Sequence, residues 1–170
     1  MNEFSRHANL LLIYILLGVL TGALIVEIYF NQPPCPLCQI QRLGMLGLIS
    51  AELLNIRFGV RMPHYGLSYL SALVGITASI YQIMLHLCPG NIPYGSLIFG
   101  LRPYVWSFIV FACAIVGMSL LLFFYKPVER VEDPRKMSGL VGISFFLALL
   151  ITVLNLIMSI SHCQGFPFSC

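Results

Sequence analysis

Apolar residues fill five long stretches of the chain, at about 9–29, 40–56, 65–87, 104–125 and 138–162, with short polar or proline-bearing segments between them. Stretches of roughly 17–25 apolar residues match the thickness of a bilayer crossed as an α-helix. Lipid offers no partner to open backbone N–H and C=O groups, so each stretch is predicted to be helical. The pattern predicts an all-α integral membrane protein: a bundle of five transmembrane helices forming a single membrane domain over residues 1–170. The first stretch is too long, and lacks the small-residue cleavage site, for a removed signal peptide, so it is expected to stay as an anchor. Gly18, Gly22, Gly44, Gly47 and Gly75 fall at spacings that let helices approach closely, and packing is the role expected of them.

Composition supports the membrane class. The 170 residues are 59% hydrophobic and 9% charged, too few charges to solvate the surface of a chain this short. Charge placement sets a direction. Arg6 precedes the first stretch, Arg57 and Arg61 lie between the second and third, and Lys126, Arg130, Arg135 and Lys136 lie between the fourth and fifth. The other two basic residues, Arg42 and Arg102, lie on the opposite side. The positive-inside rule then predicts a cytoplasmic N-terminus and an outer C-terminus. Segments 30–39 and 88–103 become outer loops, and 163–170 an outer tail. No Walker loop, dinucleotide fingerprint, His-rich cluster or HExxH occurs, and no basic aromatic surface suggests nucleic acid.

The cysteines change the picture. Of six, Cys35, Cys38, Cys88, Cys163 and Cys170 fall on the predicted outer face, where disulfides persist. Cys113 lies deep in the fourth stretch and is expected to be a small buried hydrophobe. In "NQPPCPLCQIQRLG", residues 31–44, Pro33 and Pro34 stop any helix before the motif. Cys35 and Cys38 are therefore expected in the first turn of the second helix, where free N–H groups and the helix dipole favour a thiolate. A structural disulfide or half of a metal site are the alternatives. The metal reading is weak, because structural zinc takes four ligands, usually with a second matched pair. Arg42 follows Cys38 by four residues, on the same face and one turn deeper. A cation at the membrane edge is a candidate for function. It can stabilise a thiolate, or an oxygen that gains charge when a bound carbonyl compound is reduced, and a membrane quinone has such oxygens. A snorkelling arginine is the alternative.

"CPLCQIQR" at the start of an apolar helix resembles the disulfide bond formation protein B (DsbB) family. "YGSLIFGLRPYVWSFIVF", residues 94–111, looks like the loop-and-helix block of the branch with five spans, and "CQGFPFSC" is similar to its ending. The resemblance implies an inner-membrane thiol–quinone oxidoreductase of bacteria, with four helices as the catalytic core and the fifth presenting the tail. A periplasmic DsbA-like thiol oxidase of the thioredoxin fold would be its partner, and ubiquinone or menaquinone its electron acceptor. It further implies that Cys38 meets the quinone, Cys35 takes part in exchange, and Arg42 belongs to the quinone site. A family histidine near the quinone falls by position at Gln82, and His86 lies one turn later on the same face, able to donate a hydrogen bond or proton.

The chain departs from the best-known members, whose second cysteine pair lies in the loop between spans three and four. Here that loop holds only Cys88. Cys163 and Cys170 are the expected substitute, with six residues between them and glycine and proline to close the loop. A tail-stapling disulfide, or pairing of either with Cys88, stays open. Glu27 is expected to be a solvated interface acid, with pairing to Arg42 or proton relay as alternatives. Glu52 is expected at the interface, Arg102 at headgroups, and Tyr104 and Trp106 in an aromatic belt. The rivals to the quinone enzyme are a vitamin K epoxide reductase-like enzyme, a conduit carrying reductant outward, and a scaffold whose disulfides only brace loops.

Overall fold

The computed structural model describes residues 3–30, 35–59, 61–87, 95, 97–123 and 138–162. Cys88, Cys163 and Cys170 lie outside the described residues. Five helices account for nearly all the rest: α1 (Glu3–Phe30), α2 (Pro36–Phe58), α3 (Met62–Leu87), α4 (Pro103–Phe123) and α5 (Ser138–His162). Two ends exceed the apolar runs. α1 begins at Glu3 rather than near 9, because helical hydrogen bonding continues into polar residues once nucleated. α2 begins at Pro36 rather than near 40. Proline suits the first helical position, where its missing N–H costs nothing, and Cys35 caps it in an extended conformation (φ −81°, ψ 132°).

The bundle buries polar side chains beside an apolar core that includes Ile13, Leu48 and Phe111, and its outer face is apolar. Asn9, Glu27, Gln41, Glu52, Asn55, Ser68, Gln82 and Asn155 are buried, whereas Leu43, Leu70, Leu73, Leu120 and Phe146 face outward. A water-soluble bundle would carry a polar outer face; lipid as the solvent explains the apolar one, and the polar side chains turn inward to find partners. Among the described residues, three helical segments are long and apolar enough to cross a membrane: His7–Phe30, Met62–Leu87 and Pro103–Phe123. α5 carries a shorter apolar run, Gly142–Met158. α2 is diluted by the glutamines, arginine, glutamate and asparagine that it turns toward its neighbours. The protein is an all-α membrane bundle.

α2 and α3 form the closest pair, and α4 packs on α3. Three of the five expected packing glycines carry this. A Cβ on Gly44 would lie 3.0 Å from the Ser71 carbonyl, one on Gly47 would meet the Ser71 side chain, and one on Gly75 would enter the Phe111 ring. Gly18 and Gly22 have no neighbour within 4 Å at that position, so close packing is not their role. Gly75→Val is expected to lower stability by about 1–3 kcal/mol, the range for overpacking a filled core. Thermal unfolding in detergent checks it.

At the end of α2 away from the CPLC motif, Glu52 is fully buried rather than interfacial. Ser68 donates to it at 2.9 Å and Asn55 at 3.2 Å. His64 Nδ1 lies 3.0 Å from Asn55 Oδ1. This cluster ties α2 to α3. Cys113 is exposed, not buried: Phe111, Ala114 and Met118 define the inner face of α4, and Cys113 falls off it. A weakly polar thiol is tolerated on the apolar face.

Candidate functional site

Cys35 and Cys38 sit where α2 starts. The Cys35 carbonyl accepts the first helical bond, from Gln39 N at 3.1 Å. Both cysteines are partly exposed and are free thiols. The Cys38 thiol, donating to the Cys35 sulfur, holds Cys35 well below the ordinary thiol range, at about 6; burial acts the other way, and backbone hydrogen bonds at Cys38 and Leu37 assist the lowering. Cys35 is therefore mainly thiolate at neutral pH. Its alkylation is expected to rise from about pH 5 to about pH 7 and then level off, whereas an ordinary thiol keeps gaining up to about pH 9. Mass spectrometry of the Cys35 peptide after short iodoacetamide pulses measures this. Stabilising the reduced state in this way makes the disulfide form more oxidising.

Gln82 reaches the sulfurs from α3. Its Oε1 accepts from Gln41 Nε2 at 2.7 Å, which leaves Nε2 directed at Cys35 Sγ (3.6 Å) and Cys38 Sγ (3.5 Å). It contacts the thiol pair from the packed α2–α3 side. His86 lies one turn on, with Nδ1 2.7 Å from the Gln82 carbonyl oxygen and its ring stacked on Tyr104 at 5.0 Å. Neither Gln82 nor His86 is among the residues that line the cleft beside the thiols.

That cleft has a volume of about 340 Å³. Its walls are chiefly apolar, from α1 (Val19, Leu20, Ala23, Val26) and α4 (Trp106, Val110), and Cys35, Cys38, Gln39, Arg42 and Glu27 open into it. Arg42 forms an ion pair with Glu27 across to α1 and donates to Asn155 Oδ1 on α5 at 3.0 Å. Glu27 is 5% exposed, which corrects the expected solvated acid: the carboxylate is inside the bundle because the cation is. Its second oxygen, Oε1, and Gln39 Nε2 are buried without partners among the described residues.

The rim is a tight turn. Ile98 and Leu101 exchange both backbone hydrogen bonds, at 2.8 and 3.1 Å, around Phe99 (φ 50°) and Gly100 (φ 80°). Positive φ at both central residues is the geometry of a two-residue hairpin turn. Trp106 Nε1 donates to the Ile98 carbonyl at 3.0 Å, and Arg102 donates to the Gly95 carbonyl at 2.7 Å. Arg102 thus braces the loop instead of meeting headgroups, Trp106 forms cleft wall, and Tyr104 is buried.

A protein-family model described as "Disulfide bond formation protein DsbB" matches residues 5–96, just over half of the chain. The chain belongs to the DsbB family. Disulfide bond formation protein B of Cupriavidus necator is 32% identical over 90 residues, 52% of this chain and 56% of that protein. The namesakes from Cupriavidus pinatubonensis and Ralstonia nicotianae are 34% and 33% identical over 90 residues, covering 56% and 57% of their lengths. The match therefore spans a little over half the length of these curated relatives. No solved structure matches the chain.

The DsbB match runs from α1 to the loop after α3, so it contains Glu27, the CPLC motif, Arg42, Gln82 and His86. All of α4 and all of α5 lie outside it. The structure brings Cys35, Cys38, Arg42 and Gln82 together. It adds Glu27, Gln39, Gln41 and Asn155, of which only Glu27 stands out in the sequence. Asn155 had a signal to offer: it is the only amide side chain in α5.

Proposed function

We propose that this DsbB-family protein is a membrane thiol–quinone oxidoreductase. It reoxidises a periplasmic DsbA-like thiol oxidase and passes the electrons through Cys35 and Cys38 to ubiquinone or menaquinone. The observation that carries the reading is the cleft in which the cysteine pair, a paired arginine and apolar walls converge. A pocket of a few hundred Å³ with few polar groups suits a small apolar ligand. Its donors, Arg42 and Gln39 Nε2, which has no partner among the described residues, suit a carbonyl oxygen, so the residues present fit a quinone head group.

A quinone, when bound, would supply the electron sink, with room for two electrons and two protons, one proton from the Cys38 thiol and the other from water at the outer face. The chain's own residues do the rest. Cys35, as thiolate, is the exchanging sulfur. Closing the Cys35–Cys38 disulfide releases two electrons, and the thiol proton on Cys38 with them. Gln82 Nε2 faces both sulfurs and stabilises whichever carries charge. Arg42 and Gln39 donate toward an oxygen in the cleft as its charge grows. Glu27 Oε1 is a buried acceptor available to a hydroxyl there. Cys163 and Cys170 are the second pair, taking electrons from the soluble partner; N-terminus in and C-terminus out puts both pairs on the periplasmic side.

The test is turnover. Purified protein in detergent is given a reduced DsbA-like protein and a soluble ubiquinone analogue, and quinone absorbance is followed. Loss of absorbance coupled to partner oxidation supports the reading. No reduction, with the thiols intact and the partner competent, leaves the scaffold.

A further inference from the structure

Arg42 is anchored by two helices besides its own. Glu27 on α1 pairs with Nη2, and Asn155 on α5 accepts from Nη1 at 3.0 Å. Asn155 is 6% exposed, and its Nδ2 donates to the Ile151 carbonyl one turn back at 2.8 Å. With Nδ2 engaged there, Oδ1 is the end that meets the guanidinium. Asn155 does not line the cleft, whereas Arg42 and Glu27 do. A polar residue in a membrane helix often serves only as glue between helices. Here its partner is the one cation that lines the cleft among the described residues, and it comes from a helix outside the stretch that matches the family.

We propose that Asn155 is a positioning residue: α5 delivers its side-chain carbonyl to fix the Arg42 guanidinium at the cleft without adding negative charge. This rests on the quinone reading. The guanidinium has five N–H donors; Glu27 and Asn155 engage Nη2 and Nη1, and the remaining donors are left for an oxygen in the cleft. Glu27 already balances the charge of Arg42. A neutral amide orients the fork and leaves that balance unchanged. A second carboxylate would make the trio net negative and repel an oxygen that gains charge during reduction.

Trp106 is the only tryptophan and lines the cleft, so quenching of its fluorescence by a short-tailed ubiquinone analogue reads binding without turnover. The full chain is titrated in detergent beside Asn155→Leu, which removes the acceptor, and Asn155→Asp, which keeps it and adds charge. Each is expected to weaken binding about tenfold, the scale of a hydrogen bond to a charged group. Exchange of the Cys35–Cys38 disulfide with a small dithiol, run on the same samples without quinone, is expected to hold. Unaltered binding by Asn155→Asp overturns the inference, because a merely structural tie would accept the carboxylate. A parallel loss of binding and thiol exchange also overturns it. Where Asn155→Leu fails to fold, Asn155→Asp alone decides. No binding by the unsubstituted protein sinks the quinone reading itself, and the positioning role with it.

Discussion

Arg42→Leu is expected to lower quinone-dependent turnover by roughly two to three orders of magnitude, the usual effect of removing a donor aimed at developing charge. It is also expected to destabilise the protein by about 3–5 kcal/mol, because Glu27 is left as a buried, unpaired carboxylate. The two effects can be separated. Adding Glu27→Gln removes the stranded charge, so the double variant regains most of the stability while turnover stays low. Thermal unfolding and quinone absorbance, measured on the same three proteins, give both readouts. Recovery of turnover together with stability would mean that Arg42 is only a structural partner of Glu27. Arg42→Lys keeps the charge but not the planar fork that reaches Glu27 and Asn155 at once, and is expected to fall between the native protein and Arg42→Leu.

Cys38→Ser is expected to abolish turnover entirely, since no disulfide can then form beside the cleft. Cys38→Ala, which removes the donor that holds Cys35 down, is expected to move the Cys35 alkylation profile toward that of an ordinary cysteine. The pair Cys163→Ser, Cys170→Ser is expected to behave differently. It stops turnover with the DsbA-like partner, yet leaves the reduced Cys35/Cys38 pair able to reduce quinone once. Normal partner-driven turnover in that double variant would remove the tail from the relay and direct attention to Cys88. Anaerobic assays with thiol titration before and after distinguish these results.

Much of this was legible in the sequence, for identifiable reasons. Five helices follow from apolar length, because backbone hydrogen bonds must close within each segment in lipid. Cys35 at the cap and Cys38 in the first turn of α2 follow from the prolines, and Arg42 one turn deeper follows from helical spacing. Relations within one helix are set by a known period. Relations between helices are not. Nothing in the sequence decides between a solvated Glu27 and its pairing with Arg42, the alternative that the structure shows, and nothing says that the face bearing Asn155 converges on the same guanidinium. The same holds for Glu52: its partner Ser68 lies on α3. Gln82 was marked through resemblance, as a group near the quinone, but it meets the sulfurs from the packed side. Gly18 and Gly22 show the limit of spacing alone, since small residues permit close approach without requiring a neighbour.

Transfer of electrons from the Cys35/Cys38 pair to a quinone held in the adjoining cleft is the step on which the proposed function stands. A single-turnover experiment tests it most directly. The full-length Cys163→Ser, Cys170→Ser protein is reduced, freed of reductant without oxygen, and mixed with one equivalent of a ubiquinone analogue, with no partner present. One quinol is expected per Cys35–Cys38 disulfide, identified by peptide mass spectrometry, and none after Cys38→Ser is added. A quinone that stays oxidised while both thiols remain free and the helices intact would contradict it.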